Sequence, residues 1–394
     1  MTVTGARDVA VVRCDSYDTE EVLAAVRRSV ELLGGLGRFV SPGHRVVLKP
    51  NLLHPSRPSK AVTTHPEVVY AVAVLLREHG CEVIIAESAG GGSMFTEGGL
   101  RRLYSTCEID QAAQRAGVGL NFDTSHEEVP NPSGKVVKRF RIIAPAARCD
   151  AIVSVSKAKT HVLTTMTGGT KNLFGILPGM EKPSFHGRLP RVDEFSEMIV
   201  DLNELMRPRL QIMDAVVGME GDGPQGGDPR KIGAILASGN YAALDIVAAR
   251  LMALPPDSVP TIRAAAARGV VPEDLSVEVL GDDLDALLVK DFKHPATMGQ
   301  EGFARSRFMR AFARMARAYA LRPVVQPSLC VGCGECVRAC PKGAIRMVRG
   351  KARVKYRDCI RCYCCHEMCT RKAIRLERGW AGKIMVKVTE RGGR

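Results

Sequence analysis

Eight of the chain's thirteen cysteines stand in two runs near the C-terminus, Cys330, Cys333, Cys336 and Cys340, then Cys359, Cys362, Cys365 and Cys369, each with gaps of two, two and three residues. Thiolates at that spacing hold cubane iron–sulfur clusters. Three of a run wrap one cube on a tight loop, and the fourth, at the start of the following helix, reaches across to the other cube. The expected ligand sets are therefore Cys330, Cys333, Cys336 and Cys369 for one [4Fe–4S] cluster, and Cys359, Cys362, Cys365 and Cys340 for a second. Structural zinc also takes four cysteines, but it usually arranges them as pairs around a longer knuckle. Cys364 is an extra thiol beside a complete set, either a bystander or a substitute ligand.

A second concentration of reactive groups lies in the front part of the chain. Lys157, Lys159, Thr160 and His161, followed by Lys171, Asn172 and His186, suit an anion such as a carboxylate or phosphate, with a histidine as acid–base group. The bland alternative is a solvated lysine loop. The run from Asp214 to Glu220, Gly221, Asp222, Gly223 and Pro224 adds acids on a glycine loop, able to hold a base or a metal or simply to form a tight turn. Gly90, Gly91, Gly92 and Ser93 offer backbone N–H groups to a phosphate, without the spacing of a dinucleotide fingerprint.

The elements that must position these groups follow from periodicity. Short apolar runs at 9–12, 45–48, 82–86, 138–143, 151–155, 210–213, 231–237 and 275–280 read as strands. Helical patterns fall at 20–33, 66–79, 192–206, 244–254 and 260–267. Their alternation predicts an α/β domain over residues 1–300 with a mainly parallel, doubly wound sheet, carrying an inserted subdomain between about 121 and 190. In such sheets ligands gather beyond the carboxyl ends of the strands. Lys49 and Asn51, Glu87 and Ser88, Lys157 to His161, and Asp214 all sit at expected strand ends. We read Lys49, Asn51, Lys159, Asn172 and Glu220 as substrate-binding, and His161, His186, Lys171 and Asp214 as catalytic, with Asp214 or Glu220 orienting a group or binding metal. A basic, half-apolar helix at 301–322 is expected to link this domain to the cysteine unit.

Charge is unevenly spread. Residues 303–394 hold 23 Lys and Arg against 5 Asp and Glu, whereas the first 302 hold 33 against 37. The basic field around the cysteines predicts an acidic electron carrier, a ferredoxin or flavodoxin, as partner. Nucleic acid is disfavoured, because no aromatic residues interleave the basic ones and no reading motif is present. No stretch has the length of a transmembrane segment, and the N-terminus lacks a signal run. Cys14, Cys81, Cys107 and Cys149 have no ligand spacing and read as thiols in a reducing compartment, so a cytoplasmic location is expected.

Residues 323–378 resemble the two-cluster bacterial ferredoxins over their whole length, which implies a small α+β ferredoxin-like domain followed by a basic tail at 379–394. Thr370 stands where the second run would carry proline. The front domain resembles domain-of-unknown-function family 362 in five segments. These are Val47-Leu48-Lys49-Pro50-Asn51-Leu52, Thr64-His65-Pro66-Glu67-Val68-Val69, Lys157-Ala158-Lys159-Thr160-His161, Lys171-Asn172-Leu173-Phe174-Gly175, and Asp214 through Glu220 and Pro224 to Asp245. The resemblance implies that these segments line one common site, and it supplies no reaction. The basic strand end followed by a Thr-x-Pro helix start is also similar in layout to the N-terminal domain of lactate racemase-type enzymes.

The expectation is an iron–sulfur oxidoreductase with two [4Fe–4S] clusters, acting on a small anionic substrate in the α/β domain. Two alternatives stay open. One is an electron-transfer adapter without chemistry of its own, and the other is a redox-neutral isomerase or racemase with accessory clusters.

Overall fold

The structure is a computed structural model that describes residues 7–90, 94–298 and 321–378. The last three residues of the candidate phosphate turn, nearly all of the expected linker helix and the basic tail lie outside the described residues. Arg322, expected at the end of that helix, opens a strand instead.

Strands β1 (Asp8–Arg13), β2 (Arg45–Pro50), β3 (Glu82–Ile85), β4 (Gly119–Leu120), β7 (Ala151–His161), β8 (Thr165–Met166), β9 (Leu210–Glu220), β10 (Asp228–Ser238) and β11 (Glu278–Gly281) form one sheet. Its order is β11-β1-β10-β9-β7-β2-β3-β4, with β8 paired to β7. The pairs from β9 through β7, β2 and β3 to β4 are parallel, as is β1 with β11. Only β10, which runs antiparallel to both β1 and β9, and the short β8 break the pattern. The fold class is thus α/β with a mainly parallel sheet.

Both faces are covered, as the apolar runs require. Alternate side chains of one strand point to opposite faces, and β1 displays this directly. Ala10 and Val12 pack with α1 (Thr19–Leu32), α2 (Pro66–Glu78), α3 (Glu97–Thr106) and α4 (Ile109–Ala116), whereas Val9 and Val11 join the core beneath two later helices, Tyr241–Leu251 and Pro260–Ala266. A third cluster packs Val47, Ala86 and Ile152 against the helix Val192–Met206 and the strand Arg139–Ile143.

The expected insertion at 121–190 is mostly not one. Only β5 (His126–Pro130) and β6 (Arg139–Ile143) form a separate hairpin, after which α5 (Ala144–Arg148) leads into β7 at the centre of the main sheet. β7 and β9 each extend to 11 residues, well past the short strands expected from their apolar starts. The extension is possible because charges on the two strands meet each other. Register places Lys157 opposite Asp214, and their ion pair spans 2.7 Å. The segment 157–161 is accordingly buried strand, not a solvated loop.

After β8 the chain forms α6 (Gly168–Asn172), α7 (Glu181–Arg188) and α8 (Val192–Met206), and after β10 it forms α9 (Tyr241–Leu251), α10 (Pro260–Ala266) and α11 (Leu284–Leu287). The cysteine unit is a duplicated motif. β12 (Arg322–Val325) pairs with β15 (Ile374–Glu377), β13 (Ile345–Val348) pairs with β14 (Lys351–Val354), and each cysteine run passes through a one-turn helix, α12 (Glu335–Arg338) or α13 (Cys364–Glu367), that carries its third cysteine, so that the fourth, Cys340 or Cys369, follows this helix and does not open the next one as expected.

Candidate functional site

At the carboxyl ends of β2, β3 and β7 lies a cavity of about 50 Å³ walled by Lys49, Lys159, Lys171 and Lys182, together with Asn51, Glu87, Ser88, Thr167 and Asn172. The strands place Lys49 and Lys159 there. Asp245 on α9 places Lys171 and Asn172, because its carboxylate accepts the Gly169 and Thr170 N–H groups at 2.6 and 3.0 Å and so fixes the start of α6. A Cβ on Gly168 would lie 2.2 Å from that carboxylate, which explains a glycine at φ +59°.

Each lysine has a different set of partners. Lys49 Nζ donates to Glu87 at 2.8 Å, to the Pro50 carbonyl at 2.7 Å and to Asn172 Oδ1 at 3.3 Å. Burial pushes Glu87 up and Lys49 down, and each charge opposes the other's shift. Lys182 donates to the Ser88 carbonyl and hydroxyl, both at 2.7 Å, and to the Leu177 carbonyl at 2.9 Å. Burial, aided by Lys49 and Lys171, draws its ammonium down to about 7 against the pull of Glu87. Lys159 donates to the Val62 carbonyl at 2.6 Å, and burial with its lysine neighbours holds it well below the ordinary lysine range. Lys171 has no hydrogen-bond or ion-pair partner among the described residues, and its Nζ stands 5.2 Å from the centre of the Phe174 ring.

The cysteine unit docks beside this cavity. On the far side of Lys159, at the end of β7, His161 Nδ1 accepts the Leu163 and Thr164 N–H groups, so the neutral ring carries its proton on Nε2. That nitrogen lies 3.4 Å from Glu367 Oε1 on α13, two residues after Cys365. Neither atom has a hydrogen bond among the described residues. Burial, then the charge of Lys171, holds His161 well below the usual imidazole range, while burial raises Glu367. The β9–β10 loop completes the contact. His366 Nε2 lies 3.1 Å from the Asp222 carbonyl, Lys372 donates to the Gly227 carbonyl at 2.7 Å, and a Cβ on Gly226 would approach His366 to 2.8 Å.

Within the unit the eight thiols ring two small cavities. Cys330, Cys333, Cys336 and Cys369 line one, and Cys340, Cys359, Cys362 and Cys365 line the other, together with Cys364. The donor chemistry fits cubane iron–sulfur clusters. The Ala344 and Ala373 N–H groups each donate to a cysteine sulfur, Cys340 and Cys369, at 3.2 Å, which favours thiolate there. Burial, then the charges of Cys369, Cys333 and Cys330, pushes the Cys336 thiol up to about 11, so a set of thiolates needs the positive charge of iron to form.

The family described as a domain of unknown function, DUF362, matches residues 46–250, and the 4Fe-4S binding domain matches residues 323–346. A thylakoid-associated protein of Synechocystis is 33% identical over 309 residues, 77% of this chain and 93% of that protein. The chain belongs to the DUF362 family. It carries a 4Fe–4S ferredoxin domain at its C-terminal side. Among solved structures, the lactate racemase apoprotein of Thermoanaerobacterium thermosaccharolyticum is similar at 13% identity and TM-score 0.35, over 59% of this chain and 54% of that one. A Thermotoga maritima protein is similar at 14% identity and TM-score 0.33, over 56% and 55%. The chain thus spans little more than half the length of either structure. Among the described residues no helix is long and apolar enough to cross a membrane.

In this DUF362 protein the cavity gathers Lys49, Asn51, Lys159, Lys171 and Asn172 from the residues singled out in the sequence. Four others lie elsewhere, the first being His161, which is not part of the cavity wall and whose Nε2 faces Glu367. Asp214 is enclosed in its own network, where its carboxylate takes hydrogen bonds from Lys157, Tyr17 and the His65 N–H, so its charge is already met. Glu220 accepts the Lys293 N–H at 3.0 Å at the end of β9. His186 sits among aromatic rings, stacked on Phe195 at 4.4 Å and meeting Phe174 edge-on, with Nδ1 unpartnered among the described residues. A larger cavity of about 560 Å³, lined by Arg207, Arg209, Asn240 and Tyr241, contains none of the sequence-predicted residues. Lys182 and Glu367 were missed. Their segments give no signal beyond single charged residues near a proline and among cysteines.

The environment of His186 has a measurable consequence. Burial, then Lys171, lowers its imidazole to about 3, whereas the unfolded residue titrates near 6.5. Between those values the unfolded chain binds a proton that the folded chain does not, so stability falls as pH drops through that window. Acidification from pH 7 to 5 is expected to cost about 2 kcal/mol through this residue. Anaerobic urea unfolding of the protein and of His186→Phe at both pH values measures it. The variant should lose that increment, and equal pH dependence in the two would refute the assignment.

Proposed function

We propose that this DUF362 protein is an iron–sulfur oxidoreductase whose lysine cavity binds a small anionic substrate beside its ferredoxin domain. The supporting observation is Glu367. It follows Cys365 by two residues and reaches His161, the residue that ends the strand bearing Lys159. One short segment of chain thereby joins a cluster ligand, an acid and the wall of the substrate cavity.

In this reading two [4Fe–4S] clusters are held by Cys330, Cys333, Cys336 and Cys369, and by Cys340, Cys359, Cys362 and Cys365. Such clusters supply one-electron transfer when bound. The rest of the work falls to the chain. Lys49, Lys159, Lys171 and Lys182 hold the anion, Asn51 and Asn172 orient it, and His161 Nε2 moves a proton to or from it, with Glu367 as the group that restores it. Burial of the site keeps water away and strengthens each of these electrostatic contacts. His186, Asp214 and Glu220 take structural parts in this account. The basic surface of the ferredoxin domain suits an acidic ferredoxin or flavodoxin as electron partner, and clusters of this kind suit a reducing, cytoplasm-like compartment.

An adapter would not need a polar cavity walled by buried lysines next to its docking surface, and these lysines favour the enzyme. The test is the rate at which substrate reoxidises the reduced protein. His161→Ala and Lys171→Ala are each expected to lower it by about 10²-fold or more, while iron content and reduction by an external ferredoxin stay as in the parent. Unchanged rates in both variants would favour the adapter.

A further inference from the structure

The cavity also constrains what its occupant is, and this step rests on the redox reading given above. Four lysines wall it, and two carboxylates stand near them, Glu87 in the wall and Glu367 at the docking contact. Among the described residues only Lys49 has a carboxylate within ion-pair distance. Lys182 is met by neutral oxygens alone, Lys159 by one carbonyl, and Lys171 by the face of a phenyl ring. Even with Glu367 counted, the lysines outnumber the acids by two, and burial draws protons off them, Lys182 down to about 7 and Lys159 well below the ordinary lysine range. Buried ammoniums without a counter-charge are costly, so these lysines keep their protons only when an anion enters to meet them.

Size gives the second limit. A cavity of about 50 Å³ compares with the roughly 10–15 Å³ that one water requires, so it takes the place of about four waters. The cavity is half-open, so this volume bounds the group held among the lysines and not the rest of a molecule that carries it. Orphaned polar atoms give the third. Asn51 Oδ1 and Thr167 Oγ1, both in buried residues on the wall, have no hydrogen-bond partner among the described residues. Ligand oxygens would accept from the lysines and the Thr167 hydroxyl, and a hydroxyl hydrogen, which hydrogenphosphate carries and sulfate and oxalate lack, would also meet Asn51 Oδ1.

We infer that the cavity binds a compact dianion of about four to six non-hydrogen atoms, the size and charge of hydrogenphosphate, sulfate or oxalate. A monoanion leaves one lysine without a counter-charge.

The test is anaerobic titration calorimetry of the full chain, clusters in place, at pH 7.5, with hydrogenphosphate, sulfate and oxalate set against formate and acetate. The expected result is one-to-one binding of at least one dianion, about tenfold or more tighter than either monoanion. Lys171→Met should weaken it by about tenfold or more, with the visible cluster spectrum unchanged. Asn51→Asp, which adds a negative charge to the wall while keeping the side chain's shape, should do the same if the lysine variant fails to fold. Monoanions that bind as tightly as dianions, and are lost in both variants, would overturn the dianion and leave the redox site standing. Binding of neither class, or binding that both variants leave intact, would overturn the dianion and the redox site together.

Discussion

Anaerobically prepared protein should hold about eight irons, and Cys336→Ala should reduce this to about four. Adding Cys369→Ala should cost no more iron, whereas adding Cys340→Ala should remove nearly all of it. The expectation follows from which thiols share a cavity. Cys336 and Cys369 lie on one wall system although 33 positions separate them, while Cys340, only four positions from Cys336, lines the other. If each run instead bound its own cluster, the pattern would reverse, with Cys336→Ala/Cys340→Ala keeping about four irons. Cys364→Ser tests the spare thiol. It lines the second cavity beside four complete ligands, so iron content is expected to stay near eight.

The next largest effect concerns Lys49 and Glu87. Both side chains are almost fully buried and their ion pair is 2.8 Å long. Glu87 also accepts the Leu52 and Ser88 N–H groups, so removing its carboxylate strands a buried ammonium and two donors at once. Glu87→Ala is expected to destabilise the α/β domain by about 3–5 kcal/mol. The paired change Lys49→Met/Glu87→Leu should recover much of that loss, since an apolar pair of similar volume removes both the stranded charge and the cost of desolvating it. Gly175→Ala belongs with these, because its methyl group would lie 2.2 Å from Glu87 Oε1 and 2.6 Å from Lys49 Nζ. Denaturant unfolding measures all three. A Glu87→Ala loss below about 1 kcal/mol would mean that Lys49 sheds its proton when unpaired and that the pair contributes little.

Much of the frame was legible in the chain. The short apolar runs at 9–12 and 45–48 marked strands, and the order of strands and helices marked a mainly parallel sheet. The cluster of candidate residues was legible in part, because strand ends are where such sheets bind ligands, and Lys49, Asn51, Lys159, Lys171 and Asn172 do meet in one cavity. What escaped depends on which strands are neighbours. Lys157 and Asp214 looked like separate reactive groups until register set them opposite each other, and that pairing turns both into struts of the sheet. The polar stretch 157–161 read as a reactive patch beyond a strand end, with a solvated loop as the alternative, because a sequence shows the charges but not the partners that let them be buried. Lys182 and Glu367 escaped for a related reason. Each is a single charged residue whose meaning comes from contacts with segments far away in the chain, Ser88 in one case and His161 in the other.

The central claim is that the lysine cavity and the ferredoxin domain act as one site, and a redox titration followed by electron paramagnetic resonance tests it most directly. Lys171 lies close enough to α13 for the two to interact electrostatically, through Glu367 and Cys364. At an effective dielectric constant of about 20, a unit charge roughly 10 Å from a cluster is worth about 1.7 kcal/mol, on the order of 70 mV for one electron. Lys171→Met should therefore lower the midpoint potential of the cluster assigned to Cys365 by tens of millivolts, on the order of that figure, and leave the cluster assigned to Cys330 nearly unmoved. Midpoints that stay where they are for both clusters would contradict the account.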